Sequence, residues 1–169
     1  MDHLIQANLH FLGQADRLLA RLSAETYARP IETFYHSTVG QHLRHCLDHY
    51  WSFLGGCQTS KVDYDCRERR GAVESCLRTA GATVDDLRER LENLRQNEPP
   101  VGLLVKMDCG TGGDDWQPST AGRELQFLVS HTVHHFAMIG GMCQVLGVEL
   151  EPGFGVAPST LEHQKSGQA

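Results

Sequence analysis

The chain has 169 residues, enough for one ordinary domain that buries its own core without staples. Fifteen Lys and Arg against 21 Asp and Glu leave a formal charge of −6, which argues against nucleic acid as the partner and for an acidic, well-solvated surface. Six scattered cysteines form no C-x-x-C pair, "MDHLIQANLH" lacks the layout of a secretory signal, and the longest apolar stretch (127–148) is interrupted by histidines, so a cytoplasmic protein with reduced thiols and no membrane span is expected.

Leu4, Ile5, Phe11, Leu12, Ala15, Leu18, Leu19 and Leu22 recur at three- and four-residue steps and predict a first helix, closed off by Pro30. Val39, Leu43, Cys46, Tyr50, Phe53 and Leu54 predict a second, with Ser37 or Thr38 as N-cap, Gln41 at capping-box spacing from Thr38, and an end at "GGCQTSK". Leu77, Ala80, Val84, Leu87, Leu91 and Leu94 predict a third that can break near Gly81 and Thr83 and stops at "NEPP". "VGLLVKMDCGTGGDDWQP" has no helical period and reads as a loop with a short strand or hairpin at 101–107. A fourth helix runs from about Thr120 to Leu146, with Gly147 placed to end it. The expected fold is all-α: one domain over 1–169, a four-helix bundle with a long irregular connection between helices three and four and an irregular tail from about residue 148. "STVGQHL" and "STAGREL" share S-T-x-G-x-x-L, which common cap chemistry explains, and the echo aligns helices two and four.

Those two helices carry the histidines. At about 100° per residue, His131 and His135 fall together on the apolar face of helix four and His134 toward its edge. Two buried imidazoles one turn apart each need a partner: a neighbouring hydrogen-bonding side chain satisfies them, and so does a shared metal ion. His42, His45 and His49 line one side of helix two, and six histidines on two helices favour the metal. Three neutral imidazoles with an open position are the pattern of a catalytic divalent site in a bundle interior. By the same wheel His42 and His49 lie closer than His45 to the apolar arc of helix two.

The stretch Ser37 to His45, "STVGQHLRH", resembles the second-helix motif of the DinB-like metalloprotein superfamily, and His131-x-x-His134-His135 resembles its fourth-helix motif. "YDCRERR", "RELQFLVSHTVHHFAMI" and the tail "FGVAPSTL" are similar to one uncharacterised bacterial branch, so the resemblance spans most of the chain. It implies a four-helix bundle, a divalent ion, zinc or nickel, held by His45, His131 and His135, and a homodimer. His49 is the replacement candidate for His45; His42 and His49 are otherwise partners of the ligands or substrate contacts. Relatives in the family include thiol-dependent S-transferases and maleylpyruvate isomerases.

These features lead to an expected metal-dependent enzyme of the S-transferase, isomerase or hydrolase type, acting on a small molecule with a low-molecular-weight thiol as a candidate cofactor. The alternative is a metal-binding stress-response protein without catalysis. Glu124 falls on the face of His131 and is the candidate general base or orienting carboxylate, although acidic residues also favour a helix's first turn on their own account. Arg123, Arg67, Arg69 and Arg70 could neutralise an anionic substrate, and the Gly102 to Gly113 loop could cover a pocket. Cys46 is expected to be a small buried hydrophobe rather than a nucleophile.

Overall fold

Each apolar stripe becomes a helix, and the caps decide where each begins. In order the helices are α1 (Asp2–Leu19), α2 (Ala24–Ala28), α3 (Val39–Thr59), α4 (Gly71–Ser75), α5 (Leu77–Gln96), α6 (Ala121–Val145) and α7 (Pro158–Ser166). The computed structural model describes residues 1–66, 70–97, 99–110, 112 and 115–166. Arg67, Arg69 and Gly113, singled out from the sequence, lie outside the described residues. Thr38 opens α3 with a complete capping box, its hydroxyl accepting from Gln41 N–H and its own N–H donating to the Gln41 side chain. Thr120 opens α6 in the same way by accepting from Arg123 N–H, so both halves of the sequence echo are caps. No helix among the described residues is long and apolar enough to cross a membrane.

The four long helices form a ring in which α1 packs on α5 and α6, and α3 packs on the same two. The core fills with Ile5, Phe11, Leu12, Leu43, Leu47, Phe53, Leu87, Leu128, Phe136 and Ile139, all within 1 % of full burial. One polar chain crosses it: Thr132 donates to the Tyr50 hydroxyl (3.3 Å), Tyr50 donates to Asn8 Oδ1 (3.0 Å), and Asn8 Nδ2 donates to the carbonyls of Leu4 and Leu125. Because every member is satisfied, the chain fixes α1, α3 and α6 relative to one another.

Four features sharpen or correct the sequence expectation. Helix two ends inside "GGCQTSK", at Thr59 and past both glycines, and Gly56 lets the following chain fold back: a Cβ there would lie 2.6 Å from the Lys61 carbonyl. Helix three is unbroken at Gly81, and the Thr83 hydroxyl turns back to the Thr79 carbonyl (2.8 Å) instead of capping a new start. The strand expected at 101–107 is part of a three-stranded sheet, β1 (Lys61–Asp63), β2 (Leu103–Lys106) and β3 (Gln117–Ser119), in which β2 runs parallel to β1 and antiparallel to β3. The tail is not irregular throughout. It ends in α7, and before that Phe154 stacks on Phe136 (centroids 5.0 Å) while Gly155 N–H donates to the buried Gln14 side chain.

Candidate metal centre

Helices α3 and α6 lie side by side and antiparallel, since His42 meets His135 near the start of α3 and His49 meets Phe127 two turns further along. This register brings His45, His131 and His135 into one half-buried cluster in which one nitrogen from each ring lies within 4.8 Å of the other two. His45 Nε2 and His131 Nε2 are 3.2 Å apart. Zinc–imidazole bonds of about 2.0–2.1 Å in tetrahedral geometry put ligand nitrogens about 3.3–3.4 Å apart, so that edge already has the right length. The donor set suits a borderline ion such as zinc or nickel.

Burial tunes these rings. His135 is held down at about 4, first by burial and then by the neighbouring His42, His134 and His49. His42 is also lowered, by burial and then by His134. Neutral imidazole is the form that binds metal, so His135 is competent at neutral pH without losing a proton.

His49 is more buried than His45 but sits one turn away, outside the group of three. Its Nδ1 donates to the His45 carbonyl (2.8 Å), and its ring packs against His131 (centroids 3.9 Å) and stacks on Tyr64 (5.4 Å). His42 lies on the opposite side, with Nδ1 3.1 Å from His135 Nδ1 and Nε2 3.0 Å from Ser37 Oγ. His134 is exposed and meets His135 edge-on. Tyr64 and Phe127, 5.1 Å apart, form an aromatic wall against His49 and His131. Phe127 was legible only as an apolar residue of helix four, and Tyr64 had no local signal at all, since it arrives from the end of β1.

Glu124 points inward and is 5 % exposed. Both of its oxygens are engaged: Tyr64 donates to one (2.9 Å) and Ser119, at the end of β3, donates to the other. In this arrangement the carboxylate ties the first turn of α6 to the sheet. Tyr64 is pushed up by burial and by the adjacent Glu124 charge, so it stays a donor. Of the arginines, Arg123 is exposed and Arg70 lies over the Trp51 ring (4.0 Å), as does Arg90 (4.5 Å). Arg44, between the histidines, bridges Asp48 and Glu74 and so ties α4 to α3. Burial pushes the Cys46 thiol up, which removes it as a nucleophile.

The fold and this cluster define a helical bundle with a three-histidine group able to hold a divalent ion between two of its helices. The sequence matches the DinB superfamily over residues 11–139, and the chain belongs to that superfamily. It is also similar to FK506-binding protein 5 of Rhizopus delemar, 30% identical over 106 residues, which cover 62% of this chain and 28% of that protein. The chain thus spans little more than a quarter of that curated relative's length. No solved structure matches it.

Proposed function

We propose that the protein is a divalent-metal protein, with His45, His131 and His135 as ligands, that acts on a small molecule by thiol-dependent transfer, isomerisation or hydrolysis. The observation that carries this reading is the meeting of the three imidazoles from α3 and α6, with one nitrogen pair already at the separation a tetrahedral ion requires. Superfamily membership supports it. When bound, the ion would supply Lewis acidity, making a nucleophile of water or a small thiol at neutral pH.

The chain's own residues supply the rest. His49, itself fixed by its bond to the His45 backbone carbonyl, packs its ring against those of His45 (centroids 4.6 Å) and His131 (3.9 Å) and so keeps two of the three rings in place. Tyr64 and Phe127 wall off one side with apolar surface, which excludes water and favours a substrate with an apolar or aromatic portion. Glu124 holds that wall through Tyr64 and acts as a positioning residue.

Elemental analysis of untagged protein tests the reading, with one divalent ion per chain expected. His45→Ala, His131→Ala and His135→Ala should each abolish tight zinc binding, while His134→Ala should retain it. His49→Ala decides the alternative third ligand: loss of the ion in that variant, with His45→Ala still loaded, would replace His45 by His49. Untagged protein that neither contains nor takes up a divalent ion would overturn the proposal. A metal-loaded protein that binds none of a panel of low-molecular-weight thiols would leave the non-catalytic metal-binding role in its place.

A further inference from the structure

We propose that Ser37 and His42 form a one-way hydrogen-bond chain that sets the tautomer of His135, leaving Nε2 of His135 as the unprotonated atom available to an ion. This rests on the three-histidine reading above and names how one of its ligands is prepared. The chain starts at a group whose role is not adjustable: the Phe34 backbone carbonyl can only accept, and Ser37 Oγ–H donates to it. With its single proton used there, the Ser37 oxygen accepts from His42, 3.0 Å away, so the His42 proton is on Nε2. A neutral imidazole that donates through one nitrogen accepts through the other. His42 Nδ1 is therefore an acceptor, and the group facing it at 3.1 Å is His135 Nδ1, which must carry the proton. With the His135 proton on Nδ1, the lone pair left for an ion is the one on Nε2.

The starting point of the chain is built into the backbone. Ile31 and Ser37 are bridged, with Ile31 N–H donating to the Ser37 carbonyl (3.0 Å), and the turn between them places Tyr35 and His36 at φ of 55° and 56°, which L side chains rarely adopt. The same turn delivers Ser37 one residue before the Thr38 cap, within reach of His42 on the first turns of α3. A metal-bound histidine ordinarily donates its second N–H to a carboxylate or carbonyl that fixes its orientation. Here another histidine, itself oriented by a serine and a carbonyl, takes that place.

The test has two arms. In metal-free wild type, 15N-resolved NMR of the imidazoles should show His135 protonated at Nδ1 and His42 at Nε2. Zinc affinity, read by competition with a chromophoric chelator, should then fall roughly 10- to 100-fold in His42→Ala, the usual loss when a ligand's partner is removed. His42→Gln offers a carbonyl to His135 and an N–H to Ser37, keeps the same polarity, and should bind zinc within about threefold of wild type. It also keeps the idea testable if the alanine variant does not fold. His135 protonated at Nε2 in the metal-free protein would overturn the proposal, as would His42→Ala binding zinc as tightly as wild type, or His42→Gln binding as weakly as His42→Ala. If wild type takes up no zinc, the metal reading falls alone, and the NMR arm still decides the tautomer chain.

Discussion

Tyr64→Phe removes one oxygen and asks whether Glu124 is a fastening group. The Tyr64 hydroxyl, on a residue 1 % exposed, donates at 2.9 Å to a carboxylate 5 % exposed, and no other contact of the ring is altered by its loss. A hydrogen bond to a charged acceptor contributes about 1.5–3 kcal/mol, and the substitution leaves that oxygen of Glu124 buried without its donor. For a domain of this size the loss corresponds to a fall in Tm of roughly 3–12 °C. Urea unfolding monitored by circular dichroism reads it directly, and a double-mutant cycle with Glu124→Gln isolates the pair, with a coupling of at least about 1 kcal/mol expected. A Tyr64→Phe protein that unfolds at the wild-type midpoint, or a cycle with no coupling, would refute the fastening role and return Glu124 to the list of candidate bases.

Asn8→Ala removes the acceptor of the Tyr50 O–H and the side-chain donor to the Leu125 carbonyl in the core and should cost about 1–3 kcal/mol by urea unfolding; an unchanged midpoint would mean water replaces the amide. Gly155→Ala puts a Cβ 2.7 Å from the Phe136 backbone at a φ of 66°, so a cost of about 2 kcal/mol or more is expected, with the tail becoming sensitive to protease. His135 is lowered to about 4 and His42 is lowered too, against 6.5 in the unfolded chain, so the unfolded state binds more protons between those values. Metal-free protein should accordingly have its full stability above about pH 6.5 and lose it as pH falls toward 4, and urea midpoints that stay flat across that range would contradict the burial of these rings. A homodimer is expected at twice the 18.8 kDa chain mass by light scattering, and a monomer at high concentration would exclude it.

What depends on neighbours a few residues away was legible in the sequence. Thr38 and Gln41 announce the start of α3, and Thr120 that of α6, because a cap is satisfied within one turn. The pairing of His131 with His135 follows from helical spacing alone. The third member, His45, was named by the family resemblance but not by the helical wheel, because the apolar arc of α3 averages over contacts with both α5 and α6, and only the α6 side decides which histidine reaches the pair. His49 lies nearer the centre of that arc and is the more buried residue, yet its ring turns toward Tyr64. Glu124 could be placed on the inward face but its partners could not, since Tyr64 lies 60 residues earlier. The strand at Lys61–Asp63 left no signal either: three residues have no period, and their partner strand lies beyond α5.

That parallel pairing has a consequence for how the molecule assembles. Lys61 meets Leu104 and Asp63 meets Lys106, so β1 cannot find β2 until α4 and α5 have been traversed and docked. His45 and His131 lie 86 residues apart, further along the chain than Lys61 and Leu104, so the histidine pair closes the longer loop and the sheet the shorter one. Tyr64 enters from the end of β1 and Ser119 from β3, and both donate to Glu124, so the sheet holds the wall beside the histidines. A substitution that breaks the β1–β2 pairing should therefore loosen Tyr64 while leaving His45, His131 and His135 on their helices.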